Sequence, residues 1–223
     1  MDKTNTKKLT LLAMLSAIAC VLMLLVRISI MPSAEFLIYD PKDIIIAIGG
    51  FIIGPLGVVA MAVVVSFVEM FTVSADGVVG FVMNVLSSCS FALPAAIVYK
   101  KVRTLKGALI GLVAGWLFVT AVMVMWNFII TPVYRGFPRE VIVPMLSRIF
   151  LPFNLIKYGL SAAMTMLIYK PLSIALTKVK LISKPESEET GAKGNLIIGT
   201  VLAVCLAAIP CVLLILVLQG IIS

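Results

Sequence analysis

The stretch Ile44–Val73, IIIAIGGFIIGPLGVVAMAVVVSFVEMFTV, decides the architecture. It is too long for one untilted membrane crossing of about 20 residues. Gly49-Gly50 and Gly54-Pro55-Leu56-Gly57 interrupt it. Proline removes a helix donor and glycine frees the backbone. The spacing therefore predicts a short second helix ending near Ile53, a tight uncharged turn, and a third helix from about Leu56 to Phe71.

The composition around this stretch says which solvent the helices meet. Of 223 residues, 62% are hydrophobic and only 13% charged, and the mean hydropathy is +1.19. A soluble domain is about 45–50% apolar and about 25% charged. So few charges cannot cover a water-exposed surface, so the apolar excess faces lipid. The fold class is an all-α integral membrane protein. The four cysteines (Cys20, Cys89, Cys205, Cys211) lie inside apolar runs and read as small buried side chains, not as a disulfide or metal framework. The chain contains no histidine, which removes the commonest general base and metal ligand.

Outward from the central stretch, the first apolar run is Leu9–Ile30, preceded by Lys3, Lys7 and Lys8. It is longer than a signal-peptide core and many spans follow, so it is expected to remain as a span. A fourth helix is expected over about Phe81–Tyr99 and a fifth over about Gly107–Ile130. Thr131–Arg148, with Pro132, Pro138 and Pro144, reads as a polar loop, and a sixth helix as about Ile149–Ala175. Residues 181–195 read as a hydrophilic linker before a seventh apolar run, Leu196–Leu218, within a segment 196–223.

Lys and Arg excess marks the cytoplasmic side. With the N-terminus in the cytoplasm, that side holds Lys3, Lys7, Lys8, Lys100, Lys101, Arg103, Lys106, Lys170, Lys178, Lys180, Lys184 and Lys193. The other side holds only Arg27, Lys42, Arg135, Arg139 and Arg148. The turn at Gly54-Pro55 is essential to this count. The net charge of +8 is thus a topology signal; nucleic acid is not an expected partner.

Polar residues inside the spans gather at the outer ends of three helices. Asn84 opens the fourth, with Ser87 and Ser88 on the same face. Asn127 lies near the outer end of the fifth. Asn154, Lys157 and Ser161 form a stripe on the sixth. A lysine at that depth costs a few kcal/mol unless paired or hydrated. Amides and an ammonium at one level suit an outward-open pocket for a polar ligand edge, with Trp126, Phe128, Tyr134 and Phe153 near enough to stack on a flat ring. The serines serve equally as helix–helix ties. Glu69, one turn from the outer end of the third helix, reads as bonding to neighbouring loops or helix ends, with a proton relay as the alternative. Small-residue stripes (Ala13/Ala17; Gly107/Gly111/Gly115; Gly199/Ala203/Ala207) mark helix contacts. No GxxxxGK[ST] loop occurs, so any ATP-driven step belongs to a partner.

Residues 1–180 resemble the riboflavin-specific substrate-binding (S) components of energy-coupling factor transporters, the RibU family. The resemblance rests on Tyr39-Asp40-Pro41-Lys42-Asp43, Gly54-Pro55-Leu56-Gly57, Ser66–Ser74 (SFVEMFTVS), Gly80–Ser88 (GFVMNVLSS), Asn127–Tyr134 (NFIITPVY) and Leu151–Lys157 (LPFNLIK). It implies a six-helix S-component bundle, to which this chain adds a further C-terminal transmembrane helix. It implies riboflavin as the transported ligand and no cofactor. It places the isoalloxazine against Asn127, Asn154 and Lys157, with Asn84 lining the site and Thr131 and Tyr134 beside it. Residues Phe36, Leu37, Tyr39 and Asp40 belong to the capping loop. It gives Ala13 and Ala17 the contact with a transmembrane coupling (T) subunit, and two ATPase subunits the driving force. The protein is then a non-catalytic, multi-pass cell-membrane protein. The other readings are an S component for another vitamin, a proton-coupled carrier using Glu69 and Lys157, and a structural subunit without ligand.

Overall fold

Gly54 sits at φ +104° and ends α2 (Lys42–Ile53) where α3 (Pro55–Thr72) begins. That positive φ suits glycine and strains any residue with a Cβ, and Pro55 opens α3 in the first turn, where its missing N–H costs nothing. The chain reverses there. Gly49 lies against Met61 and Gly50 against Val58, so closely that a Cβ on either would overlap them. The pair is an antiparallel hairpin, as the interrupted apolar stretch predicts.

The computed structural model describes residues 3–136, 138–178 and 192–221. The remaining elements are α1 (Lys3–Leu25), β1 (Ile28–Ser29), β2 (Ile38–Tyr39), α4 (Gly77–Lys101), α5 (Leu105–Ile129), α6 (Thr131–Arg135), α7 (Arg139–Met145), a π-helical turn (Leu146–Phe150), α8 (Leu151–Lys178) and α9 (Ala192–Leu218). Six helical segments among the described residues are long and apolar enough to cross a membrane: Thr6–Leu25, Pro55–Thr72, Gly77–Lys101, Leu105–Ile129, Arg139–Tyr169 and Gly199–Leu218. The protein is an all-α, multi-pass membrane bundle. Exposed Leu, Ile, Val and Phe side chains cover the outer faces of its helices, the surface that lipid wets.

The main core runs between α1, α2, α3, α4, α5 and α8, from Leu15 and Ala19 through Ile46, Met61, Phe91 and Leu112 to Tyr158 and Met166. Glycines let α5 approach α4 and the turn after it closely: Gly111 meets Ala95 and Gly115 the Phe91 carbonyl of α4, and Gly107 meets the Val102 carbonyl just beyond its end. This stripe is internal packing. Ala13 and Ala17, by contrast, are exposed on α1. α9 runs antiparallel to α8, with Pro210 against Gly159 and with Ala203 and Leu206 in the main core.

Three expectations are corrected. The first apolar run does not stay helical to Ile30. α1 stops at Leu25, and Ile28–Ser29 pair with Ile38–Tyr39 in an antiparallel ribbon. Within Thr131–Arg148, α6 (Thr131–Arg135), α7 (Arg139–Met145) and the π turn that follows are helical, where a loop is expected. Pro132 stands in the first turn of α6 and Pro138 at the N-cap of α7, positions where proline starts a helix as readily as it breaks one. Pro144, inside α7, lacks the N–H of a regular turn, and the next residues widen into the π turn. Finally, the cysteines are free and none is fully buried; Cys205 and Cys211 are exposed on the outer face of α9. Of the expected linker, residues 181–191 lie outside the described residues, and 192–195 belong to α9.

Candidate functional site

The spans alternate in direction, so the end of α1, the start of α2, the ends of α3 and α5 and the starts of α4 and α8 meet at one end of the bundle. A cavity of about 300 Å³ opens there, at the small end of the range for ligand sites. Asn84, Asn127, Asn154 and Lys157 line it, together with Phe36, Leu37 and Asp40 of the loop after α1 and Tyr134 of α6. Two of the expected residues do not line it. Thr131 is fully buried behind Asn127 and donates its hydroxyl to Asn127 Oδ1 at 2.9 Å. Tyr39, on β2, packs on an apolar cluster under the loop.

The two asparagines are held by their own helices. Asn127 Nδ2 donates to the Met123 carbonyl at 2.7 Å, and Asn154 Nδ2 to the Phe150 carbonyl at 2.7 Å. An amide nitrogen carries two donors, so one from each side chain remains for a ligand. The π turn ends at Phe150, whose carbonyl thus fixes Asn154. Phe153 also lines the cavity, and the Phe36 ring lies 6.3 Å from that of Phe150. Of the other aromatic candidates, Trp126 packs on the main core, and Phe128 is exposed outside the cavity beneath Arg139.

The charged groups form a buried chain of alternating sign. Lys157 Nζ lies 3.0 Å from Asp40 Oδ2 and donates to the Ile38 carbonyl at 3.4 Å. Asp40 Oδ2 is 3.6 Å from Lys42 Nζ, and Lys42 pairs in turn with Glu69. Asp43 accepts a hydrogen bond from Ser88. All five charged residues are buried, Lys42 and Asp43 completely. Burial works against the charge on Asp40, but the Lys157 and Lys42 ammoniums outweigh it and hold its carboxyl down at about 2. Single buried charges are costly, and pairing of this kind lets them remain. At the cavity rim, Arg135 pairs with Asp76 at 2.8 Å and stacks 4.8 Å above the Phe36 ring.

Sequence reasoning missed this chain of charges. Lys42 counted only as a basic residue outside the membrane, and Asp43 as part of a motif. Glu69 does bond to a helix end, that of α2. Ser88 ties α4 to α2 through Asp43, Ser161 donates to the Lys157 carbonyl of its own helix at 2.8 Å, and Ser87 lines the cavity. Among the described residues, no group of three His, Cys, Asp or Glu side chains is placed to hold a metal ion.

Comparison with known proteins gives a consistent set of relatives. Residues 7–169 match the family model described as "ECF transporter, substrate-specific component". The chain is 33% identical over 165 residues to the riboflavin transporter FmnP of Bacillus subtilis (strain 168), covering 69% of this chain and 85% of that protein. It is 28% identical over 186 residues to the riboflavin transporter RibU of Staphylococcus aureus (strain TCH60), covering 80% and 97%. A solved structure described as "Structure and mechanism of the S component of a bacterial ECF transporter" superposes with a TM-score of 0.66 at 28% identity, covering 77% of this chain and 98% of that one.

Proposed function

The chain belongs to the substrate-specific components of energy-coupling factor (ECF) transporters, non-catalytic substrate-binding membrane proteins, and on that premise we propose that its ligand is riboflavin. The observation that carries the proposal is the meeting of Asn127, Asn154 and Lys157 in one cavity beneath Phe36 and Leu37. Amide and ammonium donors suit the carbonyl oxygens and ring nitrogens of a flat, uncharged isoalloxazine edge, and Phe36, Phe153 and Tyr134 offer apolar ring surface. Asp40 balances the Lys157 charge, so the cavity is arranged for hydrogen bonding rather than for a net anion. The names of the relatives favour the same vitamin.

In this reading the cavity faces outside. The exposed Lys7, Lys8, Lys100, Lys101, Arg103 and Lys106 all lie at the opposite end of the bundle, which the Lys and Arg bias assigns to the cytoplasm together with the N-terminus. A coupling T subunit docks on the exposed Ala13/Ala17 face of α1, where small side chains permit close helix approach, and two ATPase subunits supply the energy. The carrier alternative has less support, because Glu69 and Lys157 are both committed to ion pairs.

The direct test is riboflavin fluorescence on detergent-purified protein. Quenching at nanomolar concentration, with no requirement for ATP or an ion gradient, is the expected result. Binding of another B vitamin with no response to flavin would instead make the chain a sister component.

A further inference from the structure

We propose that α9 is a strut for the loop that closes the cavity, and that Leu213, Leu214 and Val217 are positioning residues that set how long the ligand stays bound. The inference rests on the flavin-binding reading and extends it to a helix beyond the matched family region, which ends at residue 169.

The loop of residues 26–41 supplies Phe36, Leu37 and Asp40 to the cavity, yet its own structure is slight. Its only regular pairing is Ile28 with Tyr39 and Ser29 with Ile38, and an isolated two-stranded ribbon is marginal in water. The loop is instead seated on side chains from elsewhere. Ile30, Met31 and Ala34 are buried in one apolar cluster with Ile149 of the π turn, Phe153 and Ile156 at the start of α8, and Val217 of α9. Leu213 and Leu214 of α9 pack against that cluster, as do Phe36, Leu37 and Tyr39 of the loop. The antiparallel register of α9 on α8, set where Pro210 meets Gly159, brings Val217 level with Phe153. Val217 is 1% exposed, whereas Val212 and Ile215 on the same turns are 55% and 54% exposed. Only one side of the C-terminal end of α9 is used, and the loop's foundation lies on that side.

In this proposal, release of a ligand from beneath Phe36 and Leu37 requires the loop to lift. Interactions that hold it down act on dissociation more than on association. The test is stopped-flow riboflavin fluorescence on the full chain carrying Leu214→Ala and Val217→Ala together. The dissociation rate is expected to rise about tenfold while association stays within about twofold. Hydrogen exchange at residues 26–41 of the ligand-free protein should rise in parallel. Val212→Ala with Ile215→Ala, on the exposed face, should change neither reading, and Leu214→Met alone, which preserves volume, should release the ligand at the parent rate. A lower melting temperature with unchanged dissociation rate and unchanged loop exchange would overturn the strut. If the double variant does not fold, Leu213→Ala, which removes a half-buried side chain, carries the same expectation and the same refutation. A parent chain that binds no flavin ends the riboflavin reading, whereas a parent that binds and variants that release at the parent rate end the strut alone.

Discussion

The two ends of the bundle treat charge in opposite ways. At the cavity end, Lys157, Asp40, Lys42 and Glu69 are buried and joined in ion pairs. At the far end, Lys100, Lys101, Arg103 and Lys106 are exposed, and an uncharged contact between the Tyr99 and Tyr169 hydroxyls is buried beside Phe51. Exposed lysines orient a protein in a membrane and tolerate neighbouring changes. Buried lysines hold one geometry and depend on every partner. The same residue type is therefore solvated at one end and locked into ion pairs beside the cavity at the other.

The sharpest way to break the contrast is Asp40→Ala. It leaves Lys157 and Lys42 buried without their shared partner, and a loss of about 3–5 kcal/mol is expected, read as a large drop in melting temperature of the purified protein and loss of flavin binding. Acid should act on the same group. The folded carboxyl of Asp40 titrates at about 2 against an ordinary 3.8. Its stabilising contribution is therefore complete above about pH 4 and disappears as pH falls toward 2. It is on the order of 2 kcal/mol, and a thermal-stability profile steepening below pH 4 in the parent but flat there in Asp40→Asn would sharpen the assignment.

Asn154→Ala should separate binding from folding. The affinity for riboflavin is expected to weaken about tenfold, or about 1.4 kcal/mol, with the melting temperature little changed; an unaltered titration curve would remove Asn154 from the site. The smallest effect belongs to the far end. Lys100→Gln with Lys101→Gln should stay within about 0.5 kcal/mol in stability and leave flavin affinity untouched. A binding defect there would erase the distinction between the two ends.

These contrasts were unevenly legible in the amino-acid sequence. The hairpin at Gly54 is visible because glycine and proline act through the backbone alone. Asn127, Asn154 and Lys157 stand out because polar groups in apolar helices are expensive. The ion pair of Lys42 with Glu69 is less obvious, being 27 residues apart. A signal existed nonetheless: a reversal at Gly54 places those positions opposite each other, as it does Gly50 with Val58. The helical character of 131–135 and 139–150 was hidden because proline favours the first turn of a helix and a loop alike. The seating of residues 26–41 on Val217 depends on contacts between distant parts of the chain, for which no local pattern exists.

The length mismatch inside the hairpin has a geometric outcome. α2 has 12 residues and α3 has 18, a shortfall of about 9 Å at 1.5 Å per residue. Because both helices meet at the same tight turn, the whole deficit falls at the opposite tip, where Lys42 stands a step below the rim and level with Glu69. α2 itself contributes nothing to the cavity lining; the loop that precedes it supplies Phe36, Leu37 and Asp40. A turn added to α2 would lengthen it by about 5.4 Å toward that loop, so the number of residues in α2 sets the level from which the loop starts.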